Sequence, residues 1–124
     1  MDPIKVVIAD DDEGMRLIER RMIARVEGFT LAGEAKDGDE LLALVEKLRP
    51  QVVFLDVEMP GMSGIETLDA IRARSELAEL PIAFLSASED MEQAVANGEY
   101  AVQGFIKKPF LPQKLYESVD ALLA

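Results

Sequence analysis

The stretch QVVFLDVEMPGMSG, residues 51–64, decides the fold. A continuous apolar, β-branched run ends abruptly on a carboxylate, Asp56, and breaks into a Pro/Gly loop before a helical pattern resumes. An apolar run of this length is a strand covered on both faces, the pattern of a parallel sheet. The acid then sits at the carboxyl end of a central strand.

Four further runs repeat the pattern. IKVVIAD (4–10), FTLAGEA (29–35), PIAFLS (81–86) and QGFIKK (103–108) read as strands beside 51–56. Helical patterns follow each strand: about 13–26 with Ile18, Met22, Ile23 and Val26 at inward spacing, about 38–48 closed by Pro50, and about 64–74. The fourth helix runs from Ser88 as N-cap to Gly98 as C-cap, and the last from about Leu111, with Pro112 in its first turn. Five alternating units predict a flavodoxin-like, doubly wound α/β sandwich with strand order 2-1-3-4-5. A crevice then opens between strands 1 and 3 at their carboxyl ends.

The 124 residues fit one domain, 1–124, without repeats or linkers. With 49% hydrophobic and 30% charged residues, the composition is that of a globular protein, and no run approaches a membrane span. No secretory signal precedes the first strand, and the absence of cysteine fits a cytoplasmic protein. A net charge of −11 argues against direct nucleic-acid binding. Histidine is also absent, so chemistry falls to carboxylates, hydroxyls, lysine and a hard cation.

The strand ends carry those groups: Asp10, Asp11 and Asp12 after strand 1, Asp56 after strand 3, Ser86 after strand 4, Lys107 and Lys108 after strand 5. Crowded carboxylates must be neutralised by protons or a cation. An all-oxygen donor set points to Mg²⁺, with Mn²⁺ able to take its place. A cation, an ammonium and a hydroxyl around a carboxylate are the parts for phosphoryl transfer, with Asp56 as nucleophile.

The motifs ADDD (9–12), FLDVEMPGMSG (54–64), FLSAS (84–88) and KKPF (107–110) together resemble the response-regulator receiver domains of two-component signalling, over essentially the whole chain. The resemblance implies that Asp56 accepts a phosphoryl group, that Asp10 and Asp11 hold Mg²⁺ with Asp56, and that the backbone carbonyl of Glu58 is a further ligand. It implies that Ser86 and Lys108 contact the phosphoryl group, with Lys108-Pro109 commonly cis, and that Phe105 is the switch aromatic. Phe105 as a plain core residue and Ser86 as a loop cap are the bland alternatives. Asp12 reads as an N-cap, Lys107 as a solvated charge and Met59-Pro60-Gly61 as turn chemistry. Glu58 and Ser88 stand where relatives tune loss of the phosphoryl group, and GEYAVQGF (98–105) departs from the family's approach to strand 5.

Expected partners are a histidine kinase or phosphotransfer protein and an effector or output domain that the sequence does not identify. A second copy could pair through the helix 4, strand 5, helix 5 surface. Ending at Ala124, the chain reads as a stand-alone regulator or the receiver of a longer protein. Arg16, Arg20, Arg21 and Arg25 form either a solvated face or a kinase-docking surface on the first helix. No enzymatic turnover is expected beyond self-phosphorylation and self-dephosphorylation. A phosphatase of the haloacid-dehalogenase kind would need a second Asp where Glu58 stands. A module that kept only the fold would have lost one of the strand-end groups, and none is lost.

Overall fold

The computed structural model describes residues 2–59 and 63–123. Five strands, β1 (Ile4–Ala9), β2 (Phe29–Ala35), β3 (Val52–Asp56), β4 (Ile82–Ser86) and β5 (Gly104–Lys107), pair in parallel in the order β2-β1-β3-β4-β5. The helices are α1 (Glu13–Ala24), α2 (Gly38–Leu48), α3 (Gly64–Arg72), α4 (Glu89–Ala96) and α5 (Pro112–Leu123). The doubly wound order expected from the sequence is the order observed. A 3-10 turn at Ser75–Leu77, which the sequence pattern did not suggest, follows α3.

Side chains alternate across a strand, and this period of two divides the core. Val6, Ile8, Val52, Phe54, Ala83, Leu85 and Ile106 pack on one face with Ile23, Leu115 and Val119 of α1 and α5. Val7, Ala9, Val53, Leu55, Ile82 and Phe84 pack on the other, with Leu41 and Val45 of α2 and Leu68 and Ile71 of α3. Every residue of β3 is buried, which accounts for the uninterrupted apolar run that ends at Asp56. Burial of each large side chain of this kind contributes about 1.5–3 kcal/mol.

Local signals set the helix ends. Asp12, Asp37, Ser63 and Ser88 are N-caps, each accepting the backbone N–H three residues on, and Ser63 with Glu66 forms a capping box. The cap assigned to Gly98 shifts by one residue: Asn97 is the C-cap, and Gly98 takes φ +76 just beyond it. Gly98 N–H donates to the Val95 carbonyl at 3.0 Å and Glu99 N–H to Ala94 at 3.0 Å, a Schellman closure that favours glycine. Of the turn Met59-Pro60-Gly61, Pro60 and Gly61 lie outside the described residues.

The expected inward stripe of α1 needs correction. Ile18 is 45% exposed, and the buried positions are Glu19 and Ile23, followed by Val26 after the helix. Ile23 and Val26 are inward as expected and Met22 packs half-buried beside them, so the departure is at one position, where Glu19 takes the place of Ile18 and carries an acid inward.

Gly64 matters for a different reason from Gly98. A Cβ built there would lie 2.6 Å from the Asp56 carbonyl oxygen and 2.7 Å from Val57 Cα. The first residue of α3 thus presses against the backbone that carries Asp56. Gly64→Ala should destabilise the protein by about 1–3 kcal/mol through overpacking. A denaturant midpoint equal to that of the wild type would refute this contact.

Candidate functional site

Because Asp10, Asp56 and Lys108 continue the parity of Ile8, Phe54 and Ile106, their side chains emerge on the face shared with α1 and α5. Asp10 is 1% exposed and Asp56 3% exposed. Lys108 Nζ bridges them, donating to Asp10 Oδ2 at 3.2 Å and Asp56 Oδ1 at 3.3 Å. The Lys108-Pro109 bond is cis, and Lys108 N–H donates to the Ser86 carbonyl at 2.9 Å, continuing the β4–β5 ladder. Asp11 is exposed, and one carboxylate oxygen from each of Asp10, Asp11 and Asp56 lies within 4.8 Å of the others. Those three oxygens can share one hard cation.

Burial, together with the charge of Asp10, pushes the Asp56 carboxyl up to about 7 despite the pull of Lys108. Burial works against the Lys108 ammonium, yet Asp56 and Asp10 outweigh it and hold its pKa above the ordinary value. One ammonium does not neutralise the cluster. The remaining charge is what a divalent ion would offset.

Ser86 has the opposite parity and faces the β3–α3 loop. Its hydroxyl donates to Glu58 Oε1 at 2.6 Å and accepts from Ser88 N–H at 3.0 Å. Ser88 Oγ in turn accepts from Met91 N–H at 3.2 Å as the cap of α4. Phe105 is half-buried and packs against the α2/α3 side of the core, as Met91, Val95 and Tyr100 do. Lys107 pairs with Glu89 at 3.1 Å on the surface, a contact of little energetic weight.

Two groups were not foreseen at the site. Arg16 donates from Nη1 to the Asp10 carbonyl at 2.7 Å, so it braces the strand end instead of standing free. Arg20 makes a two-pronged pair with Glu34, at 2.5 and 2.9 Å. Only Arg21 and Arg25 of the four arginines are without such partners among the described residues.

The second group is Glu19. It is 1% exposed, neither carboxyl oxygen has a hydrogen-bond partner among the described residues, and it faces Asp10. Burial, then the Asp10 charge, pushes it up to about 9. A neutral acid is the form such a place tolerates. Its signal was in the sequence: position 19 lies four residues before Ile23 and seven before Val26.

Strand-end acids on β1 and β3, a hydroxyl on β4 and a lysine on β5 of a 2-1-3-4-5 sheet define the class of signalling receivers. The chain belongs to the response regulator receiver domain family, whose model matches residues 6–120. It is 34% identical over 119 residues to the chemotaxis protein CheY of Pseudomonas aeruginosa, covering 96% of this chain and 95% of that one. To CheY-3 of Vibrio cholerae it is 37% identical, over 96% of this chain and 91% of the relative. The crystal structure of Vibrio cholerae CheY4 at low pH superposes with a TM-score of 0.82 at 31% identity, over 97% and 98% of the two chains. The response regulator domain of Thermotoga maritima CheB superposes at 0.79 with 27% identity, over 98% of each.

The raised values of Asp56 and Glu19 make stability depend on pH. Each binds more protons folded than unfolded between its ordinary and raised pKa, from 3.8 to about 7 for Asp56 and from 4.5 to about 9 for Glu19. In chelator, stability therefore falls as pH rises through those windows. Glu19→Gln should remove the upper part of that fall and stabilise the protein by about 1–3 kcal/mol near pH 9. Urea melts between about pH 5 and pH 9 would show the same slope in both proteins if Glu19 did not titrate in this window.

Proposed function

We propose that residues 1–124 act as one receiver unit that takes a phosphoryl group from the phosphohistidine of a histidine kinase or phosphotransfer protein onto Asp56. The observation that carries this reading is the Lys108 ammonium bridging two buried carboxylates at the switch point of the sheet. An Asp56 carboxylate oxygen forms the new bond to phosphorus as the phosphorus–nitrogen bond of the donor breaks, and the imidazole leaves with its electron pair. Lys108 offsets charge on the transferred group, and the Ser86 hydroxyl contacts it. Water later cleaves the acyl phosphate and restores the carboxylate.

Asp10, Asp11 and Asp56, with the backbone carbonyl of Glu58, would hold Mg²⁺, or Mn²⁺ in its place. An all-oxygen set with Asp10 and Asp56 buried and Asp11 open to water suits such an ion. When bound, it supplies positive charge against the phosphoryl oxygens.

The phosphorylated form biases a two-state equilibrium. Ser86 and Lys108 draw toward the new oxygens, Phe105 follows as the switch aromatic, and the face of α4, β5 and α5 changes its affinity for an effector, an output domain or a second copy. The charge of −11 disfavours nucleic acid as a direct partner, and no helix among the described residues is long and apolar enough to cross a membrane. A cytoplasmic setting fits the kinase partner. The exposed Arg21 and Arg25 on α1 are the remaining cationic candidates for kinase docking.

With Mg²⁺ and acetyl phosphate, the intact mass should rise by one phosphoryl group. The gain should vanish in Asp56→Asn and on chelation, and Lys108→Ala should slow it by about 100-fold. An unchanged wild-type mass under all these conditions would sink the proposal.

A further inference from the structure

We infer that the Glu58 side chain is a latch on Ser86, holding the hydroxyl proton that a phosphoryl oxygen on Asp56 would otherwise receive, and so opposing the phosphorylated state. The inference rests on the reading of Asp56 as phosphoacceptor. It assigns the carboxylate of Glu58 a positioning role separate from that of its backbone carbonyl.

The geometry carries it. Ser86 is fully buried, and its Oγ donates to Glu58 Oε1 at 2.6 Å while accepting from Ser88 N–H at 3.0 Å. A hydroxyl has one proton, and here it is committed to a charged acceptor at the short distance such bonds adopt. With the Ser88 N–H already on one lone pair, the hydroxyl gains a new acceptor only by releasing Glu58. The exchange replaces one anionic acceptor with another, so the contact that should reward phosphorylation is largely offset by the one it breaks.

The two ends of the latch are unequal. Glu58 is exposed and can turn to water once released, whereas buried Ser86 must keep a partner for its proton. The state of the latch is also felt beyond the site. Ser86 Oγ holds the N–H of Ser88, and Ser88 Oγ caps α4 at Met91, so moving the hydroxyl pulls on the first turn of α4. Glu58 thereby links the β3–α3 loop to the helix whose surface is proposed to change.

Negative charge near Asp56 would oppose a phosphoryl group even without a latch, so the test must separate the two. Beryllium fluoride with Mg²⁺ serves as a phosphoryl mimic on Asp56, read by the ¹⁹F signal of the bound species in wild type, Glu58→Ala, Ser86→Ala and the double variant. Glu58→Ala should lower the half-saturating concentration by roughly tenfold when Ser86 is present, and by no more than about twofold when residue 86 is alanine. The free Glu58→Ala protein should melt at a lower temperature than wild type even as its complex forms more readily, a divergence that a merely structural role would not produce. Glu58→Gln retains an uncharged acceptor and should fall between wild type and Glu58→Ala, which keeps the test open if the alanine variant does not fold. An equal or reversed effect of Glu58→Ala in the two backgrounds overturns the latch and leaves the phosphoacceptor reading intact. A wild type that gives no bound signal, like Asp56→Asn, instead removes the phosphoacceptor reading itself.

Discussion

Too many carboxylates meet one ammonium at the carboxyl edge of the sheet, and much of the rest of the structure answers to that imbalance. Asp10 and Asp56 are almost wholly withdrawn from water, and Lys108 is shared between them. Burying an ion is unfavourable unless it is paired, and here the pairing is incomplete. Burial, together with the neighbouring acid Asp10, raises Asp56 and Glu19, and three carboxylate oxygens lie within reach of one cation.

The two-residue period of the strands sends the polar groups at the strand ends to opposite faces of the sheet. Asp10, Asp56 and Lys108 emerge toward α1 and α5, where the arginine brace and Glu19 lie. Ser86 emerges on the other side, where its hydroxyl engages Glu58 and, through Ser88, the cap of α4. The hydrogen bonds from Glu58 through Ser86 and Ser88 thus connect the end of β3 to the first turn of α4.

Several side chains took places that the linear pattern did not suggest. Ile18 looked like a core residue because it is apolar and precedes Met22 by four, but α1 rolls so that Glu19 takes the buried place and Ile18 is left 45% exposed. The rotation follows from which neighbours face Ile23 and Val26, and that is information held in α5 and the sheet. The arginines of α1 looked like one cationic face because sequence spacing does not reveal Glu34, which β2 brings alongside Arg16 and Arg20. The Ser75–Leu77 turn lacks any strong periodic signal, being a single turn anchored by Arg72, which donates to the Leu77 carbonyl at 3.0 Å and the Ala101 carbonyl at 2.9 Å.

The sequence by itself determined the alternation of strands and helices, the parallel sheet, the strand order and the identity of the polar groups at each strand end, because period, caps and apolar runs are local properties. Its motif spacing also indicates the family. Tertiary structure alone decided who meets whom: the Lys108 bridge, the buried Glu19 beside Asp10, and the Ser86 proton held by Glu58. Those contacts join residues 28 to 98 positions apart, or depend on how a helix rolls against the sheet. Only packing in three dimensions sets them.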